Sequence, residues 1–283
     1  MFRKAVVGLD LSPAEKPMMD CLSDLNRWGI DEIILVHIIR VGYAQGAGFG
    51  HEDDYVAWLE ERAAPLRDAG FAASVRVRDS GVVAEELIAI ANEESADLLI
   101  VGSRSHNMIH GIFVGSVARG VLHKASLPVL LERIEPTPAE TEFVCAAVCR
   151  KKLTTLLLAT DFSGHARGAE DAAVELATYA GAVHLLSVVE RVEAQEPTSR
   201  IDGARAALTA LKERSEPQAD RVQIVVEQGD PTDVIVQVAE DVAATLIVVG
   251  KHGAGWMSDH VIGSVADAVC RAAKRPVLMV PGR

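Results

Sequence analysis

Short, largely apolar runs recur along the chain, Leu156–Thr160 the most continuous of them, each ending at a polar or glycine-bearing break and followed by apolar positions at helical spacing. In the first half the runs lie near 4–9, 33–39, 73–77, 98–101 and 129–131. In the second half they are Leu156–Thr160, Val183–Val189, Val222–Val226, Leu246–Val249 and Val277–Val280. Unbroken hydrophobicity over four to eight residues is the mark of a strand covered on both faces, as in parallel sheets. Between them, Ala169, Ala173, Leu176 and Ala180 share one helical face, with Gly181 as a left-handed stop. Val234, Val238 and Val242 do the same in a helix from about Pro231 to Ala243, and Val265, Val269 and Ala272 in a later one. Start signals accompany the helices. Ser12 reads as a cap with Pro13 next and Glu15 as its box partner, Ser163 as a second cap, and Ser264 with Asp267 as a third box. Pro17 removes an N–H from the first helix, which therefore bends or starts late.

The pattern occurs twice. LLIVGSRSHNMIHGIFVGSVARGVLHKASLPVLL at 98–131 aligns with LIVVGKHGAGWMSDHVIGSVADAVCRAAKRPVLM at 246–279, Gly102, Gly115 and Pro128 each lying 148 positions before Gly250, Gly263 and Pro276. VVGLDLS ending at Ser12 likewise precedes LLATDFS ending at Ser163. A period this long means a duplicated domain rather than a solenoid. Strand–helix alternation with right-handed crossovers gives an α/β reading: two doubly wound, five-stranded parallel-sheet domains, Rossmann-like, in order 3-2-1-4-5. Their expected bounds are 1–134 and 153–283, with 135–152 as a linker holding a short apolar packing segment.

Composition narrows the functional classes. A net charge of −12 opposes a nucleic-acid surface, which needs a basic stripe. No apolar run reaches the roughly 18 residues that span a bilayer, and Asp10 interrupts the N-terminal run well before a signal-peptide core is complete. Cys21, Cys145, Cys149 and Cys270 are too few and scattered for a disulfide framework, so cytoplasm is the expected location. Cys145 and Cys149 read as packing residues sharing a helix face. Aromatics are only 4%, which leaves the core to Val, Leu, Ile and Ala.

In such sheets ligands sit at the carboxyl ends of the strands where the winding reverses, between strands 1 and 4. Asp161 ends the first strand of copy two, and Gly250-Lys251-His252-Gly253 follows its fourth, with Gly263-Ser264 opening a helix. Glycines admit an anion close to backbone N–H groups, and a helix N-terminus favours negative charge. Asp161 can accept from a ribose hydroxyl or an adenine amino group, and Ser264 can bond a phosphate instead of capping. The alternative is that Asp161, Gly250 and Gly263 serve turns alone.

The spacing G-x2-G-x9-G-S after an apolar strand, an Asp after the first strand and a terminal Pro-Val-Leu-Met-Val strand together resemble the universal stress protein family. The resemblance spans both halves. It implies a tandem protein that binds adenine nucleotide, ATP or AMP with or without Mg, and acts by ligand-dependent conformation or partner interaction. Carried across, Asp161 and Val188 hold the adenosine part, and Gly250, Gly253, Gly263 and Ser264 hold ribose and phosphates. His252 and Val265 adjoin that set. Lys251, where the family commonly has a small residue, either pairs a phosphate or faces water. In copy one Asp10, Gly102, Gly115 and Ser116 match, but Ser105 replaces the second glycine and His106 and Asn107 add bulk, which implies a weakened site and the stronger one in copy two. The family also implies pairing through the last strand, between the two copies and between chains as a homodimer.

Other motifs carry less. GxxxxGK[ST] and Gly-x-Ser-x-Gly are both missing from the sequence. GAGFG at 46–50 reads as a loop, and His106 with His110 as a solvated pair rather than a metal site. The second functional class, a slow ATPase or phosphotransfer enzyme using the same pocket, requires a positioned base or water, which no spacing here assigns.

Overall fold

The computed structural model describes residues 2–40, 52–103, 114–136, 143–145, 151–190, 197–254 and 262–282. The chain forms two units, 1–150 and 151–283. In the first, the order is β1 (Lys4–Gly8), α1 (Glu15–Leu22), β2 (Glu32–Arg40), α2 (Glu52–Asp68), β3 (Ala72–Ser80), α3 (Val83–Glu93), β4 (Leu98–Gly102), α4 (Ser116–Lys124) and β5 (Val129–Glu132). Its sheet runs β3-β2-β1-β4-β5, every neighbour parallel. Within the linker expected from the sequence, β6 (Ile134–Pro136) and β7 (Phe143–Cys145) pair antiparallel. Cys145 thus lies on a strand and not on a helix face, and Cys149 is outside the described residues.

The second unit repeats the plan with β8 (Thr155–Ala159), α5 (Arg167–Ala177), β9 (Ala182–Val189), α6 (Pro197–Glu213), β10 (Val222–Gln228), α7 (Pro231–Asp241), β11 (Leu246–Gly250), α8 (Ser264–Ala272) and β12 (Val277–Val280). Its order is β10-β9-β8-β11-β12, again parallel. Central strands are buried on both faces, which is why they are legible as continuous apolar runs: Leu98–Val101 and Leu246–Val249 are all within the core. No helix among the described residues is long and apolar enough to cross a membrane.

Several local readings change. α1 starts at Glu15, two residues after Pro13, so Pro17 is its third residue, where its missing N–H would have had no intrahelical acceptor. Ser12 does not cap it: its hydroxyl donates to Asp10 Oδ1 at 2.5 Å and accepts from Ala14 N. Glu15 turns instead to Arg62 of α2, at 2.7 Å. Ser163 precedes a 3-10 turn, Gly164–Ala166, with no side-chain cap bond. Gly263, not Ser264, is the N-cap of α8, and Asp267 pairs with Arg271 one turn on. Gly181 lacks a positive φ; it is small because a Cβ would stand 2.8 Å from Thr154 O. By contrast α7 starts at Pro231 as expected and has a side-chain cap that was not foreseen, Asp230 accepting from Thr232 N and Asp233 N. Cys21, buried in α1, is disulfide-bonded, and Cys270 is buried in α8.

Candidate functional site

Winding reverses between β1 and β4 in the first unit and between β8 and β11 in the second. In the second unit Asp161 follows β8 and its carboxylate is committed twice. Oδ1 accepts from Ser163 N at 3.0 Å and Oδ2 from Ala254 N at 2.7 Å. Phe162, between these contacts, is held at φ +58°, its N–H donating to Thr160 Oγ1, which itself donates to the buried Glu170. The carboxylate explains the second glycine of the loop: a Cβ at Gly253 would lie 2.8 Å from Asp161 Oδ2.

The other glycines of that loop also answer to the protein itself. At Gly250 a Cβ would be 3.1 Å from His252 O and 3.4 Å from Ala166 Cα, and at Gly263 3.1 Å from Lys251 O. Lys251 N donates to Val280 O and Lys251 O accepts from Gly263 N, which ties the ends of the loop together. Lys251 is 1% exposed, so the water-facing reading of that residue falls. His252 is also buried, its ring 5.9 Å from that of His165 in an edge-on arrangement. Val188 sits near the end of β9, half-buried, paired with Glu227 of β10. Ser264 and Val265 are the first residues of α8, Ser264 exposed and uninvolved in capping.

In the first unit the same strand ends surround an open space. A cavity of about 550 Å³ is lined by residues that include Asp10, Gly102, Gly115 and Ser116, all four of the candidate residues of that copy. Asp10 Oδ1 accepts from the backbone and hydroxyl of Ser12, and its other oxygen has no partner among the described residues. Gly115 is the N-cap of α4, with no side chain closing the helix end. Arg119 N is the first to bond back, to Gly115 O, so the N–H groups of Ser116, Val117 and Ala118 have no acceptor among the described residues, and all three residues line the cavity. Gly115 has an extended backbone, φ −60° and ψ 159°, that any residue adopts, and a Cβ there would meet only Ser103 O at an ordinary 3.5 Å. Nothing in the described protein requires a glycine at 115.

The remaining wall comes from β2, α1 and α2, with Val83 and Leu87 of α3, and sequence reasoning did not find it. His37, 7% exposed, shares its Nδ1 with Leu9 O at 2.9 Å. Tyr55 stacks on the imidazole at 4.8 Å and Trp58 meets it edge-on at 5.5 Å. Arg62 lies over Trp58 and reaches across to Glu15, which fixes α2 against α1. A histidine within the apolar run ILVHII was the available signal, because a buried polar group must have a partner. Ser105, His106, Asn107, His110 and the 46–50 segment lie outside the described residues.

Two doubly wound, parallel-sheet α/β units, the first with a cavity at its switch point, define a Rossmann-like architecture. The universal stress protein family pattern matches residues 1–133 and 152–281, and the chain belongs to that family. Two universal stress proteins of Mycobacterium tuberculosis are each 24% identical to it. One aligns over 270 residues, 87% of this chain and 86% of its own length, and the other over 295, 97% and 95%. A crystal structure of a universal stress protein from Archaeoglobus fulgidus superposes with a TM-score of 0.71 at 25% identity, covering 98% of this chain and 95% of that one.

Proposed function

We propose that this chain is an adenine-nucleotide-binding stress protein whose first unit supplies the ligand site. The observation that carries the reading is the cavity beside Gly115. It pairs a helix N-terminus with no side-chain cap, suited to a phosphate, with a carboxylate oxygen on Asp10 that no described residue engages, suited to a ribose hydroxyl or a base amino group. Its volume of about 550 Å³ lies within the roughly 300–1,000 Å³ usual for small-molecule sites. Gly102, Gly115 and Ser116 would hold the phosphate side and Asp10 the nucleoside side. When bound, the ligand contributes negative charge at α4 and ring area against the apolar wall.

The reading reverses the ranking that glycine spacing alone suggests. In the second unit, nucleotide would first have to displace the Ala254 N–H from Asp161. The family's mode of action, a change of loop or partner surface on binding, then depends on occupancy of the first unit.

The test is isothermal titration of AMP and of ATP with magnesium into the full chain, with Asp10→Ala and Asp161→Ala variants. Loss of binding in Asp10→Ala and retention in Asp161→Ala is the expected result. The opposite pattern overturns the assignment to the first unit.

A further inference from the structure

His37 is a buried polar residue whose second ring nitrogen no described residue engages. A backbone carbonyl only accepts, so the 2.9 Å contact with Leu9 O requires the proton on Nδ1. In the neutral ring Nε2 is then a hydrogen-bond acceptor, and it has no partner among the described residues. The imidazole cannot readily turn away: Tyr55 covers one face, Trp58 abuts its edge, and Arg62 with Glu15 holds the helix that carries both aromatics. His37 and Tyr55 both line the cavity that holds Asp10.

This wall belongs to the first unit. Leu9 N bonds to Val36 O as Thr160 N bonds to Leu186 O, so Ser187 occupies the register of His37. α2 and α6 are both 17 residues long, and the fourth and seventh positions that hold Tyr55 and Trp58 in α2 hold Arg200 and Gly203 in α6.

We propose that His37 is a specificity-determining residue of the first-unit cavity, its Nε2 accepting a hydrogen bond from the exocyclic amino group of the ligand's base, with Tyr55 and Trp58 as positioning residues. The inference rests on the nucleotide-binding reading and adds to it a discrimination. Two acceptors, Asp10 and His37, select a ring edge that carries N–H donors. A 6-oxo purine presents a carbonyl oxygen where the 6-amino purine presents a donor, and an acceptor facing an acceptor is repelled. A site that hydrogen-bonds one group rejects the analogue lacking it far more strongly than an apolar pocket does.

The experiment titrates AMP and IMP into the full chain and into His37→Phe, which keeps an aromatic ring between Tyr55 and Trp58. The expected result is AMP bound at least tenfold more tightly than IMP by the wild type, with the ratio collapsing towards unity in His37→Phe. Binding of AMP with the same AMP-to-IMP ratio in both proteins overturns the inference and leaves the nucleotide reading standing. If neither nucleotide binds, the nucleotide reading itself falls. Because Phe leaves Leu9 O without its donor and can impair folding, a second measurement uses the unaltered protein labelled with ¹⁵N-histidine. Saturating AMP should move the His37 Nε2 resonance, and an unmoved resonance at saturation refutes the contact.

Discussion

Replacing Gly115 by alanine separates the ligand's need for space from the protein's. The methyl would stand 3.5 Å from Ser103 O, ordinary contact, and the backbone at φ −60° and ψ 159° suits alanine. Alanine is a poorer N-cap than glycine, a cost of about 0.5–1 kcal/mol. Fewer unfolded conformations return about 0.4–1 kcal/mol, so the unliganded protein should melt within a few degrees of the parent. A phosphate lying on the free N–H groups of Ser116 and Val117 would meet the methyl and lose at least one charge-assisted hydrogen bond, worth about 1.5–3 kcal/mol. Affinity for AMP should therefore fall roughly ten- to a hundredfold. At a concentration about 100-fold above the parent's Kd, ligand stabilises the parent by about 2.7 kcal/mol, and a tenfold weaker variant by about 1.4 kcal/mol. Titration calorimetry and melting curves of both proteins with AMP measure these quantities. An affinity within twofold of the parent, with the melting shift intact, would refute a phosphate at α4.

Gly253→Ala should cost the second unit about 1 kcal/mol, because its Cβ would press on Asp161 Oδ2 at 2.8 Å and break the bond from Ala254 N. Urea denaturation checks this, and the cost should shrink when Asp161 is already alanine; an undiminished cost means another atom is the obstacle. His184 in β9 is buried with Nδ1 unpartnered, and burial lowers its pKa below the ordinary 6.5. Below about pH 6.5 the unfolded chain takes up a proton that the folded one refuses, so stability should fall with acidification, by at most about 1.4 kcal/mol per pH unit from this group. His184→Leu, which places an aliphatic side chain where the first unit has Ile34, should flatten that slope; a parallel fall in both proteins assigns the acid sensitivity to other groups.

The fold was legible because each strand is a short, largely apolar run closed by a break; the central runs are buried throughout, while the edge runs 73–77 and Val222–Val226 are mostly half-covered. Helices were legible only where one face is plainly apolar. α2 buries Leu59, Ala63 and Leu66, but Val56, Ala57, Trp58 and Ala64 lie outside that buried set among charged residues, with Pro65 inside, so its periodicity is faint. Caps misled for a different reason. Ser12, Pro13 and Glu15 form a sound local start signal, but Asp10 competes for the serine hydroxyl and Arg62 for the glutamate, and both competitors are set by tertiary structure. The candidate site was half legible. Asp10, Gly102, Gly115 and Ser116 are found by spacing, whereas the aromatic wall depends on two helix positions and a strand register that no local pattern joins.

The two copies also show why an intact motif is a poor measure of an intact site. Gly253 and Gly263 both have neighbours within 3.1 Å of where a Cβ would go, one a carboxylate oxygen and one a backbone carbonyl, so the second unit would select glycine there with no ligand at all. Gly115 has no such neighbour among the described residues. What is left of the signature in the first unit is therefore the part that packing does not account for. A duplicated chain needs only one ligand site to respond to a ligand. The second copy satisfies Asp161 with its own Ala254 N–H and its glycines are accounted for by the fold, whereas on the proposed reading the first copy, with Ser105 in its loop, is constrained where α4 meets the cavity. On this argument the informative glycine is the one without a structural excuse, and in this chain that glycine is Gly115.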